Sequence, residues 1–185
     1  GLPSLWEMRR DDVRGDLAVF GVPAADGDFA LLVAAAMGPR VRLDEWEGAC
    51  RHAGADPPRR LVGVLAARRL AHETPSGFGF LHHLFRMHLL STSDPRELQR
   101  AHAAIADALA SSPSPPARLD IERRGRHQMA AGRFADACAP LLRAATRRWS
   151  RGERDEARSL LTLAETAIER AMLAPNDPVA VEAAS

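Results

Sequence analysis

Lysine is missing altogether. The 25 basic residues are all arginine, set against 24 acidic ones, for a formal net charge of +1 over 185 residues. A balance this close to neutral supplies no broad electrostatic footprint for nucleic acid. Arginine used alone, beside so many alanines, reads as coding bias as much as physics. Cysteine is scarce too: Cys50 and Cys138 lie far apart, each inside an apolar helical pattern. That suits buried thiols of a reducing compartment better than a disulfide framework. No apolar run approaches a membrane span and no signal peptide opens the chain, so a cytoplasmic location away from membranes is expected. The first residue is Gly1 rather than methionine, which suggests a fragment or a processed chain. No Gly-rich P-loop ending in Lys-Ser/Thr and no Walker-type acidic strand occurs. Nor does any defined Ser/His/Asp, Cys/His or paired-carboxylate arrangement, so no catalytic residue is assigned and the chain is not expected to be an enzyme by itself.

What is present is ordinary globular material, 46% hydrophobic and 26% charged, long enough for one or two domains with a real core. Residues 5–20 mix Leu5, Met8, Val13, Leu17 and Phe20 with charged residues and allow a short amphipathic helix, ended by Gly21-Val22-Pro23. Phe29–Met37 is apolar all round and predicts a central buried helix. Asp44 and Glu47 have the spacing of a capping box for a helix that presents Leu43, Trp46, Cys50 and Ala53 on one face and ends at Gly54. Asp56-Pro57 reads as the cap and first residue of a third helix running to Leu70.

Thr74-Pro75-Ser76-Gly77 is a turn, and its flanks predict a hairpin, Leu70–Glu73 against Phe78–His82. Three short helices followed by a two-stranded hairpin is the order of a winged helix. Ser93-Asp94-Pro95 opens a long helix with Leu98, Ala101, Ile105 and Leu109 on one side. Ser111–Pro116 is a Ser/Pro linker. Beyond it a repeat appears: Ala131-Gly132-Arg133-Phe134 with Ala137, Leu141 and Ala144 recurs as Arg151-Gly152-Glu153-Arg154 with Ala157, Leu161 and Ala164. A turn glycine before a helix with small residues on one face suits stacked helical hairpins. Pro140 should kink or delay its helix, and the tail from Pro175 to Ser185 reads as frayed.

The run Phe80-Leu81-His82-His83-Leu84-Phe85-Arg86 resembles the end of the winged-helix subdomain in STAND-class signalling ATPases. These include large LuxR-type and MalT-like transcription regulators and predicted ATPases fused to bacterial kinases or cyclases. The segment is also similar to the Met-His-Asp motif of plant immune receptors, with His82 in the histidine place. Residues 100–109 look like the helix that family places next, and Arg126-His127-Gln128-Met129-Ala130-Ala131-Gly132 looks like the opening of its tetratricopeptide-like arm. The resemblance covers most of residues 25–173 and implies a mainly α fold, a winged helix followed by antiparallel helical-repeat helices.

The domain boundaries that follow are a lead-in helix at 1–28, a winged-helix subdomain at 29–92, a helical linker and arm at 93–174, and a tail at 175–185. The implied role is non-catalytic and regulatory within an ATP-dependent switch. The parent would bind ATP or ADP with magnesium through a nucleotide-binding domain upstream of Gly1, and this chain would carry no cofactor of its own. A protein or small-molecule effector is expected on the arm, and an oligomeric parent is compatible with the resemblance.

The matching histidine of relatives reaches the ADP phosphates, which assigns nucleotide sensing in the parent to His82; packing or capping at the strand–helix junction is the plain alternative. His83 and His88 do not complete a metal site with it, because positions five or six apart do not share a helix face. Arg59, Arg60, Arg68 and Arg69 lie on the element that would read DNA in a winged helix. The neutral charge and the absence of basic residues from Thr74 to Gly79 favour a solvated face or a domain contact instead. Arg143, Arg147, Arg148 and Arg151 on the arm would suit an acidic ligand, or would be ordinary surface. Trp46, Trp149 and the phenylalanines are expected in the core. Two further readings belong to other classes, a free-standing winged-helix DNA-binding protein and a repeat-type interaction scaffold.

Overall fold

The computed structural model describes residues 4–111 and 118–172. Most of the Ser/Pro linker and the whole tail from Pro175 lie outside them. The chain divides into two compact units, Gly1–Ala108 and Leu109–Ser185. The sequence groups the helix after Ser93 with the arm, but that helix belongs up to Ala108 to the first unit.

The first unit contains α1 (Leu5–Val19), α2 (Ala24–Met37), β1 (Arg40–Arg42), α3 (Leu43–His52), α4 (Arg60–Ala67), β2 (Ala71–Thr74), β3 (Gly77–Phe80), α5 (His83–Thr92) and most of α6 (Pro95–Ala110). The buried apolar run expected at Phe29–Met37 is found, and its helix starts earlier, at Ala24 behind Pro23. Trp46 of α3 is fully buried and donates its indole N–H to the Ala30 carbonyl at 2.9 Å. A line of ring contacts continues from Trp46 to Phe78 (6.2 Å), Phe80 (5.9 Å) and Phe85 (6.4 Å). Aromatic rings packed edge-on or tilted in this way fill volume and fix orientation at once.

The hairpin forms around the expected turn, but its strands are Ala71–Thr74 and Gly77–Phe80, so His82 lies beyond the strand. Ala71 is opposite Phe80 and Glu73 opposite Phe78. The sequence did not reveal its third strand. Arg40–Arg42 pairs antiparallel with Gly77–Gly79, giving the sheet order β1-β3-β2. Gly77 makes this possible, since a Cβ there would sit 2.0 Å from the Val41 carbonyl oxygen.

The new strand also overturns the capping box at Asp44. Pairing carries the chain straight from Arg42 into α3, Leu43 N–H donates to the Ser76 carbonyl, and Asp44 lies inside the first turn with its carboxylate on Arg42 at 2.7 Å. A capping box does form at Ser4 and Glu7, where α1 begins. The α4 helix likewise begins three residues later than Asp56-Pro57 suggests. Pro58 forces Pro57 out of the helical region, so the first turn closes only at Leu61 N–H to the Pro58 carbonyl. It ends at Ala67, short of Leu70, where Arg69 adopts a left-handed φ of 56°.

The second unit contains α7 (Arg118–Ala130), α8 (Phe134–Trp149) and α9 (Arg154–Met172). The two turns of the repeat seen in the sequence are alike in structure. Gly132 and Gly152 take φ of +75° and +80°, and in each loop the following residue donates back into the preceding helix, Arg133 to Gln128 and Glu153 to Arg148. This is the closure that a left-handed glycine allows at a helix end. The α8 helix runs through Pro140 without a break and starts at Phe134, so no delay occurs.

Three packing assignments change. Phe20, expected in the core with the other phenylalanines, is 53% exposed. In α9 the buried leucine is Leu160, fully enclosed, while Leu161 is 39% exposed. Ala157, Leu160 and Ala164 share a face at spacings of three and four, as Ala137, Leu141 and Ala144 do at four and three. Trp149 is 51% exposed rather than in the core, with the Arg154 guanidinium 5.2 Å from its ring.

Candidate functional site

His82 is the N-cap of α5, immediately after β3. Its extended backbone (φ −119°, ψ 108°) turns the chain from strand into helix, and its side chain makes no capping bond. The imidazole is exposed, 5.8 Å from the Trp6 ring on α1. No acidic residue occupies the first turn of α5, so its free backbone N–H groups and their partial positive charge meet no carboxylate of that turn. Around the histidine, Leu81 and Leu84 are 51% and 64% exposed.

Sequence reasoning missed two neighbours of this junction. Trp6 touches both His82 and Phe85 across 5.8 and 6.0 Å, and only the fold brings a residue so far upstream to this place. Arg86 lies one turn beyond His82 and donates its Nε–H to the Ala35 carbonyl at 2.8 Å. Ala35 is in the last turn of α2, so a cation there satisfies a carbonyl at the negative end of that helix. Burial lowers the Arg86 pKa. Its position four after His82 is the only signal the sequence offers.

His83 is exposed at the first position of α5, and His88 is half-buried with an Nε2 that has no hydrogen-bond partner. No cluster of three His, Cys, Asp or Glu side chains able to hold a metal occurs among the described residues. The Cys50 thiol is pushed up to about 12 by burial, so it is not a nucleophile near neutral pH. Cys138 is raised by the same cause. No helix among the described residues is long and apolar enough to cross a membrane.

The four arginines proposed on one recognition element are not equivalent. Arg59 is the N-cap of α4 and reaches back to Glu47 at 3.2 Å. Arg60 lies over the Phe20 ring at 5.0 Å. Arg68 forms a fork on Asp16 of α1, 2.7 and 2.8 Å, and also meets Asp12 at 3.3 Å. That fork holds the Asp16 carboxyl below the usual carboxylate range. Arg69 sits past the helix end in left-handed backbone. Two of the four therefore already hold carboxylates, and a third covers an aromatic ring.

The arm arginines divide in the same way. Arg148 ties Glu122 of α7, at 2.9 Å, to Glu153 at the start of α9, at 2.6 Å, and the two carboxylates raise its pKa. Arg151 joins the same group through Glu153 at 3.8 Å. Arg143 and Arg147 are exposed. Arg148 is thus a brace among three helices. No family model, curated protein or solved structure matches this chain.

Proposed function

We propose that the chain is a non-catalytic regulatory segment of an ATP-dependent signalling switch of the STAND class. Its first unit would act as a winged helix that clamps the nucleotide-bound resting state, and α7 to α9 would begin a tetratricopeptide-like arm for a partner or effector. The element order supports this: helix α2, strand β1, helices α3 and α4, then the hairpin, with sheet order β1-β3-β2, is the order of a winged helix. Antiparallel helices turned by Gly132 and Gly152 have the form of stacked helical hairpins.

The observation that carries the reading is His82, an exposed imidazole at the uncapped start of α5, set among uncovered leucines. A donor so placed suits a phosphate presented by another domain, because the helix N-terminus favours negative charge and an imidazole N–H can donate to a phosphate oxygen. The apolar rim would meet that domain's surface. ATP or ADP and magnesium would be held upstream, and the chemistry of hydrolysis with them.

In the full-length parent, His82→Ala is expected to lose bound ADP during purification, measured as nucleotide released per protein on denaturation. Retention equal to the parent's sinks the sensing role. The DNA-binding alternative is disfavoured by the engagement of Arg59 with Glu47 and of Arg68 with Asp12 and Asp16.

A further inference from the structure

The α1 and α4 helices run antiparallel, with Asp16 beside Arg68 at one end and Phe20 beside Arg60 at the other. Between them opens a groove with a cavity of about 380 Å³, walled by Val19 and Phe20 on one side and by Gly63, Val64 and Ala67 on the other. This volume is in the range of specific ligand sites. Val19 and Phe20 are 81% and 53% exposed, so the apolar surface continues past the cavity onto the outside of α1. Gly63 and Ala67 are one helical turn apart, and a Cβ at Gly63 would meet nothing within 4 Å. The α4 wall is therefore low and open.

The charges of the groove are unequal. Asp16 at one rim is matched by the Arg68 fork. Arg60 at the other rim touches the Phe20 face, and no carboxylate of the described residues pairs with it. One uncompensated cation thus stands next to an apolar seat.

We propose that this groove docks an amphipathic helical segment of a partner protein, which seats a branched or aromatic side chain between Phe20 and Val64 and places an adjacent carboxylate on Arg60. A helix fits because the low wall at Gly63 and Ala67 permits close approach, and because an acid three or four residues from the apolar anchor lies on the same face. Nucleic acid does not fit, since Asp12 and Asp16 lie along the same helix pair and would repel phosphates. A membrane surface would call for a cluster of cations where the groove has one. The proposal is independent of the nucleotide-switch reading, and its test uses no nucleotide.

The test is selection of a displayed random-peptide library on the 185-residue chain, followed by affinity measurement with one enriched synthetic peptide. Enriched sequences are expected to share Asp or Glu three or four positions from Phe, Trp or Leu. Arg60→Glu should weaken the peptide about tenfold, and a peptide with its acid changed to lysine should recover that loss on the same variant. Gly63→Leu fills the groove in open space and should abolish binding while leaving the circular-dichroism melt unchanged or raised, since leucine favours a helix more than glycine does. No enrichment, enriched sequences without the acid, or affinity indifferent to both substitutions each overturns the proposal. So does doubling of the chain's mass that Gly63→Leu removes, which would make a second copy the occupant.

Discussion

The unit ending at Ala108 fills its interior with Trp46, Phe78, Phe85 and branched aliphatic side chains, whereas the contact between α8 and α9 is filled mainly with alanine. In the first case a few large groups remove much apolar surface from water and interlock around α2. In the second, Ala137, Ala144, Ala145, Ala164 and Ala167 bring two helix backbones close, with Leu141 and Leu160 as the larger members. Gly125 of α7 extends the same logic, since a Cβ there would lie 2.9 Å from the Leu141 side chain. The two interiors should therefore fail in opposite ways. One is sensitive to atoms removed, the other to atoms added.

Opposite insults to the two interiors separate them most clearly. Trp46→Ala should cost about 3–5 kcal/mol, because it empties a fully enclosed site and removes the bond to the Ala30 carbonyl. Urea unfolding followed by near-ultraviolet circular dichroism would measure it, and a cost below about 1 kcal/mol would mean that the aromatic line does not hold this unit together. Ala164→Leu should cost about 1–3 kcal/mol through overpacking between α8 and α9, read as faster amide exchange confined to the second unit. Neutral or stabilising behaviour there would show that the alanine contact has slack.

The smallest effect concerns pH and belongs to the first unit. Burial lowers the His102 pKa below its ordinary 6.5, so below that value the unfolded chain binds more protons at this residue than the folded one. Its contribution is complete above pH 6.5 and is lost as pH falls through the lowered folded value. The melting temperature should accordingly drop from about pH 7.5 to about pH 5, and His102→Gln should flatten that slope. An identical slope in the variant assigns the acid sensitivity elsewhere.

Several local features are legible in the amino-acid sequence alone. The all-apolar composition of Phe29–Met37 leaves burial on every side as its one stable outcome, and Thr74–Gly77 carries the residues of a turn. The glycine spacing of the arm shows its repeat, down to the matching left-handed loops at Gly132 and Gly152. The β1 strand is not legible, because three residues alternating arginine, valine and arginine carry no pattern of their own and become a strand only through pairing with β3. Leu160 and Leu161 exchange places for a related reason. Adjacent leucines both fit a helical stripe, and only the partner helix selects between them. Among candidate site residues, Arg68 and Arg148 are visible as cations, but the carboxylates that hold them are not, Asp16 lying 52 positions from Arg68 and Glu122 26 from Arg148.

Period, turn chemistry and capping act over a few residues, and they were enough to specify a mainly helical chain, a hairpin leading into a helix, a glycine-turned repeat, and a histidine at the strand–helix junction. Tertiary structure alone decided which arginines stay open to solvent, which ring lies beside His82, and where a groove remains between α1 and α4. Those outcomes depend on groups far apart in the chain, whose meeting no local pattern encodes.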